Sequence, residues 1–147
     1  MTTYTKEIEV RWTDLDANKH VTHIAYASFA THSRVSWMEH LGFSMQKLLA
    51  SGIHAVLQKE QTEYFREVFL GEKIKVKVYY SGRSIDNTRW KFKHEIYKAD
   101  GKLAAISTVY GAWLNNVTRK ITVAPEEFLN ILETVVSPSD FEIIDKR

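Results

Sequence analysis

The chain contains no cysteine. That excludes a disulfide framework, a thiol nucleophile, a Cys-ligated zinc and an iron–sulfur cluster. Two prolines and six glycines leave little room for low-complexity linkers, and no internal repeat is evident. No apolar run approaches the ~18 residues of a membrane-spanning helix. The first seven residues, Met1 to Glu7, lack the apolar stretch of a secretory signal. An excess of one charge is missing too: 20 Lys and Arg stand against 18 Asp and Glu, a formal net charge of +2. Such a balance makes no electrostatic case for nucleic acid. The expectation is a cytoplasmic protein with neither a membrane nor a nucleic-acid partner.

What is present is an ordinary globular composition, 44% hydrophobic and 26% charged over 147 residues. The length suits one domain, taken as residues 1–147. A chain of this size buries roughly 68–70% of the surface its unfolded form exposes, enough for a core without a disulfide or structural metal.

Hydrophobic periodicity divides the chain. Tyr4, Lys6, Ile8 and Val10 alternate with Thr5, Glu7 and Glu9, a first strand. From about His23 to Leu41 the spacing of Tyr26, Ala30, Trp37 and Leu41 becomes helical, with Gly42 placed to end the helix. Ala27, Ala30 and Ser33 give this helix a small-residue face. Ser44 to Ala50 reads as a second, short helix stopping at Ser51-Gly52. Four strand-like segments follow: His54 to Phe69, bent or bulged; Lys73 to Tyr80; Thr88 to Lys98; and Lys102 to Leu114. The last is apolar on both faces, as expected of a central strand or one lying against a partner subunit. Pro125-Glu126-Glu127 opens a final helix, and the tail after Pro138 reads as peripheral. One strand, one long helix and a run of antiparallel strands are most simply packed as an α+β sheet wrapped around that helix.

The chemistry is concentrated between the first strand and the long helix. Asp14, Asp16, Asn18, His20 and His23 supply two carboxylates, an amide and two imidazoles within ten residues. A helix N-terminus offers unpaired N–H groups and partial positive charge, which can hold the oxyanion of acyl transfer. A carboxylate beside it can act as general base or nucleophile. Each residue also has a plain structural use. Asp14 and Asp16 suit a cap or a turn, Asn18-Lys19 a turn, and His20 and His23 are ordinary partly buried histidines. His20 and His23 stand three apart, but no third ligand follows at helical spacing, so no metal site is expected.

Arg11-Trp12-Thr13-Asp14-Leu15-Asp16-Ala17-Asn18-Lys19-His20-Val21, with Tyr26 ten positions after Asp16, resembles the signature of the hotdog-fold acyl thioesterases. The nearest branch is the 4-hydroxybenzoyl-CoA thioesterase-like, short acyl-CoA group. The stretch from Asp16 to Val21 also resembles the acyl carrier protein (ACP) thioesterases. Thr62-Glu63-Tyr64-Phe65-Arg66, Gly71-Glu72-Lys73-Ile74, a turn at Ser81-Gly82-Arg83-Ser84, Asp100-Gly101-Lys102-Leu103-Ala104 and Arg119-Lys120 through Pro125 extend the likeness over about residues 5 to 130.

The resemblance implies a hotdog fold, an antiparallel β-sheet wrapped around a long central α-helix. It implies an acyl-CoA thioesterase releasing a carboxylic acid and CoA, with Asp16 as general base or nucleophile. The N-terminus of the long helix would form the oxyanion hole. By position, His23 matches the residue whose backbone N–H faces the thioester carbonyl, itself a catalytic histidine in some members. Asn18 and His20 match a pair that orients water or the carboxylate. Glu63 matches a recurrent glutamate with a structural or binding role, and Tyr26 lines the pocket or packs in the core. Arg83, Ser84 and Arg89, with Arg119 and Lys120, are candidates to meet the CoA phosphates. No cofactor is implied, since CoA belongs to the substrate. Members assemble as homodimers or homotetramers with active sites at the subunit interface. Three alternatives remain open. One is the same hydrolysis on acyl-ACP, docked at Lys73, Lys75, Lys77 and Lys93. Another is a non-catalytic module that binds acyl thioesters or serves as an assembly subunit. The third is a dehydratase acting on hydroxyacyl thioesters, which the Asp16 motif fits less well than hydrolysis.

Overall fold

The computed structural model describes residues 4–136 and 139–144. Its elements are β1 (Tyr4–Glu9), α1 (His23–His40), α2 (Met45–Ala50), β2 (Ile53–Tyr64), β3 (Lys73–Arg83), β4 (Arg89–Tyr97), β5 (Leu103–Asn115), β6 (Ile121–Thr122), α3 (Glu126–Glu133) and β7 (Glu142–Ile143). Five strands form an antiparallel path in the order β1-β3-β4-β5-β2. The two-residue β6 adds to β5, and β7 adds to β3 in parallel.

Alternation decides which face is inside. Along β3, Ile74, Val76, Val78 and Tyr80 are buried; along β4, Trp90, Phe92, His94 and Ile96 are buried. The sheet face they form receives α1, which buries Ala25, Tyr26, Phe29, Ala30, Ser33, Trp37 and Met38. Ala30 and Ser33 permit a close approach, and the Ser33 hydroxyl donates to the Phe29 carbonyl at 2.8 Å, so no polar group is stranded there. Leu41 ends the helix, and Gly42 follows at φ +84°, the left-handed conformation suited to a helix stop. Phe43 stacks on Phe128 of α3 at 4.7 Å, tying both helices to the core.

The helix is not centred on its sheet. It packs chiefly on β3, β1 and β5, while β2 engages mainly β5 and α2. α1 and β2 meet through Tyr26 and Tyr64 and leave hollows on either side, and the outer edge of β2 pairs with no strand among the described residues. No described helix is long and apolar enough to cross a membrane.

The expected α+β architecture and its long helix are present, and β5 is an interior strand between β4 and β2, buried on one face and partly exposed on the other. Three boundaries differ. The segment expected as one strand from His54 to Phe69 is a strand only to Tyr64, with a bulge between Leu57 and Lys59. Beyond Tyr64 the chain turns away and returns as a single bridge from Phe69 to His20. The expected turn at Ser81-Gly82-Arg83-Ser84 lies mostly inside β3, where a bulge between Tyr80 and Gly82 absorbs the extra residue. The tail expected to be peripheral begins at Pro138, outside the described residues. Its described part, 139–144, returns to the sheet, where Phe141 packs on Tyr80 and Lys91 and Lys93 pair with Glu142 and Asp140.

Candidate active site

Between β1 and α1 the chain makes two consecutive turns that treat the two aspartates differently. Trp12–Asp14 is a 3-10 turn closed by the buried Asp14. One Asp14 oxygen accepts from the Arg11 amide at 2.9 Å, and the other faces the Arg11 guanidinium at 3.3 Å. Both oxygens are spent on local structure. The next turn, Asp16–His20, is flanked by a bridge between Leu15 and Val21 and passes through Lys19 at φ +65°. Here Oδ1 of Asp16 accepts from the amides of Asn18 at 2.8 Å and His20 at 3.2 Å. Oδ2 has no protein partner among the described residues. The carboxylate is thus fixed through one oxygen and available through the other.

The helix that follows begins without a side-chain cap. Thr22 occupies the cap position in extended conformation and its hydroxyl accepts nothing. The amides of His23 and Ile24 find no carbonyl among the described residues. Unpaired N–H groups at a helix N-terminus attract negative charge.

These features open onto a cleft of about 360 Å³ lined by Asp16, His20, His23, Tyr26, Tyr64, Phe65, Arg66 and Glu67, with Val21 at its floor. The His20 ring is held between Glu67, 3.4 Å from Nε2, and the Phe69 ring, met edge-on at 5.4 Å. Tyr26 and Tyr64 meet edge-to-face at 5.2 Å at the inner end. Burial, reinforced by Tyr64, Glu72 and Glu67, lifts the Tyr26 phenol to about 12, so it remains a neutral hydrogen-bond donor. Arg66 spends one N–H on the Leu103 carbonyl at 3.2 Å and is otherwise exposed at the rim.

Of the residues singled out in the sequence, Asp16, His20, His23 and Tyr26 come together in this cleft. Asn18 takes part through its backbone amide, while its side chain is exposed outside the lining. Glu63 is an exposed position of β2 opposite Ile106, beside the cleft but not lining it. Arg83, Ser84 and Arg89 are not brought to the cleft of their own chain. Arg83 pairs with Glu133 at 2.8 Å, and the Ser84 hydroxyl joins Asp86 and the Arg89 amide. The Arg89 side chain reaches Thr88 and lines a separate surface hollow with Lys59 and Tyr110. Arg119, at φ +61°, and Lys120 occupy the exposed turn between β5 and β6. Sequence reasoning missed Arg66 and Glu67 as cleft residues, because an unbroken strand to Phe69 would have carried them away along the sheet.

Residues 10–132 match the sequence profile of the Thioesterase-like superfamily. Over 96 residues the chain is 27% identical to the acyl-CoA thioester hydrolase YbgC of Escherichia coli O6:H1, covering 65% of this chain and 70% of that protein. The fold superposes on the DHNA-CoA thioesterase of Staphylococcus aureus with a TM-score of 0.84 at 24% identity, over 92% of this chain and 91% of the other. It superposes equally, with a TM-score of 0.84 at 21% identity, on the S. aureus protein SAV2348 in complex with CoA, over 99% and 90% of the two chains.

Proposed function

The chain belongs to the thioesterase-like superfamily, and from that premise we propose that it hydrolyses an acyl-CoA thioester to a carboxylic acid and free CoA. The observation that carries the reading is the half-used Asp16 carboxylate, anchored through Oδ1 and open through Oδ2, in a cleft shared with an uncapped helix N-terminus. The thioester carbonyl sits at the first turn of α1, where the amides of His23 and Ile24 receive the developing oxyanion. Asp16 takes a proton from water as the water oxygen bonds to the carbonyl carbon. The C–S bond then breaks, and the leaving CoA thiolate takes up the proton held on Asp16. If Asp16 attacks directly, the intermediate is a mixed anhydride that water opens, and hydrolysis in ¹⁸O water labels the Asp16 carboxylate in that route only.

His20, steadied by Glu67 and Phe69, orients the water or the carboxylate, and Asn18 does so through its amide. Arg66 is the cation on the cleft's own rim, placed for a CoA phosphate. Arg83, Ser84 and Arg89 serve that purpose only for a CoA tail that reaches across the sheet or from a second chain. A second copy pairs along the free edge of β2, making the functional unit a homodimer or a dimer of dimers. SAV2348, with the same fold, is a CoA complex, which supports CoA as the carrier here.

Thiol release from short, medium, long and aryl acyl-CoAs, followed with a thiol-reactive dye, tests the reading. The protein has no cysteine to add background. Asp16→Asn should lower turnover by about 10²–10⁴, the span of a lost general base. Full activity in a folded Asp16→Asn protein would remove Asp16 from the mechanism. Release from acyl-ACP but from no CoA ester would move the substrate to the carrier protein.

A further inference from the structure

A second hollow lies along the same helix and strand as the cleft. Tyr26 and Tyr64 line the cleft, and farther along the same helix and strand lies a second cavity of about 160 Å³. Its walls include Val35 and Met38 of α1, Leu57 of β2 and Phe92 of β4, and they are almost wholly apolar. Arg34 is the one charged side chain among them.

The Arg34 guanidinium donates through Nη1 to Nε2 of His94 at 3.0 Å. That histidine is fully buried, with Nδ1 2.9 Å from the Ser107 carbonyl. Because arginine only donates, Nε2 must be the bare nitrogen and the ring is neutral. A neutral ring is no counter-ion. Glu60 acts on Arg34 through space, but no carboxylate forms an ion pair with it among the described residues. Burial works against the guanidinium charge, yet arginine stays protonated at any ordinary pH. A partly buried cation without an anion is incompletely solvated and gains from one. Trp90, 3% exposed on the same cavity, also has an indole N–H with no partner among the described residues. One cavity is thus lined by a cation whose one hydrogen-bond partner is a neutral ring and by a tryptophan with an unmatched donor, and no anion meets either among the described residues.

Strand register places the cation relative to the chemistry. His94 pairs with Ser107, and Ser107 with Thr62, so the guanidinium lies in the row of Thr62. Tyr64 of the cleft is the next residue on that face, about 7 Å away at two strand residues. An acyl group passing Tyr64 meets Arg34 first and the apolar walls afterwards.

We propose that Arg34 is a specificity-determining residue that pairs with a carboxylate at the far end of a short acyl group, so that the preferred substrates are ω-carboxyacyl thioesters. This rests on the hydrolase reading above. Low-dielectric walls strengthen such a pair, whereas a neutral acyl group leaves the guanidinium uncompensated.

The test compares kcat/KM on chain-matched thioesters, glutaryl-CoA with pentanoyl-CoA and adipoyl-CoA with hexanoyl-CoA, for the unmodified protein, Arg34→Gln and Arg34→Lys. Gln keeps a donor for His94 without the charge, and Lys keeps the charge. The unmodified protein should favour the carboxyacyl member of each pair. Arg34→Gln should lower kcat/KM on that member roughly 10- to 100-fold while changing the neutral member less than about threefold, the size of a lost charged hydrogen bond. Arg34→Lys should restore part of the loss. A preference for the neutral thioesters overturns the proposal. So does an equal loss on both members, and a drop in oligomeric mass alongside it would make Arg34 an interface residue instead. If none of the four thioesters is cleaved, ligand binding decides on Arg34 by itself, and the hydrolase reading stands or falls on the wider acyl-CoA and acyl-ACP panel. Glutarate, but not pentanoate, should raise the Tm of the unmodified protein and leave Arg34→Gln unmoved. No difference between the two acids overturns the proposal.

Discussion

At the scale of single residues, His94 couples protonation to stability. It is 0% exposed, accepts from a guanidinium at Nε2 and donates from Nδ1. Burial first, and the Arg34 charge second, pull its pKa from 6.5 down to about 3, against the opposing pull of the Ser107 carbonyl. The unfolded chain takes up this proton near pH 6.5, while the folded protein resists it until about pH 3. Between those values the unfolded state binds more protons. The stability that neutral His94 confers is therefore complete above pH 6.5 and is lost as pH falls toward 3, at about 1.4 kcal/mol per pH unit. Urea denaturation between pH 6 and 4 should show this slope on top of the carboxylate contribution. His94→Gln, which keeps a donor and an acceptor, should flatten it by up to one proton's worth. Identical slopes in the two proteins would mean that His94 is protonated in the fold.

At the scale of elements, the central pairing of β4 with β5 depends on a missing side chain. Gly111 stands opposite Trp90 on one side and Leu57 on the other. A Cβ there would fall on the Trp90 indole and on the Val56 carbonyl. The carbonyl belongs to a paired strand and has nowhere to go. Gly111→Ala should cost about 1–3 kcal/mol by overpacking, and thermal melting should register it as a fall of several degrees. An unchanged Tm would mean that the indole swings aside freely. This glycine also shows what a sequence conveys at this scale. The alternation of Ile74, Val76 and Val78 with lysines made β3 legible, because one face is buried and the other wet. The Asp16 turn was legible because its hydrogen bonds are local, from Asn18 and His20. Ser81-Gly82 read as a turn because small polar residues favour turns, but both are buried where β3 bulges beside β4 and β7. The end of β2 at Tyr64 was hidden because Phe65, Val68 and Phe69 keep the composition of a strand. The pairing of Arg34 with His94 joins residues 60 apart, and no local pattern could announce it.

At the scale of the whole molecule, the decisive feature is the off-centre helix. By packing on β1, β3 and β5, α1 leaves β2 with a twelve-residue edge that is unpaired among the described residues and with Leu57 and Tyr64 half exposed, at 50% and 51%. A long, partly apolar edge is a template for another strand. Antiparallel pairing of two β2 edges would continue the sheet across a two-fold axis and close the α1–β2 hollows of each chain from outside. Folding is then linked to association. Light scattering should give roughly twice the 17.1 kDa chain mass, or four times it if dimers pair. One cooperative melting transition is expected for a single domain, and its Tm should rise with concentration, because each tenfold increase adds about 1.4 kcal/mol per dimer. A 17.1 kDa particle whose Tm ignores concentration would rule out the β2 interface. Dilution also asks where the active site ends. The cleft and the Arg34 cavity are the hollows that a second chain would seal. If sealing excludes water from the thioester, activity per chain must fall in step with dissociation. If activity per chain stays constant through dissociation, Asp16, His23 and the helix N-terminus suffice within one chain, and the partner serves stability alone.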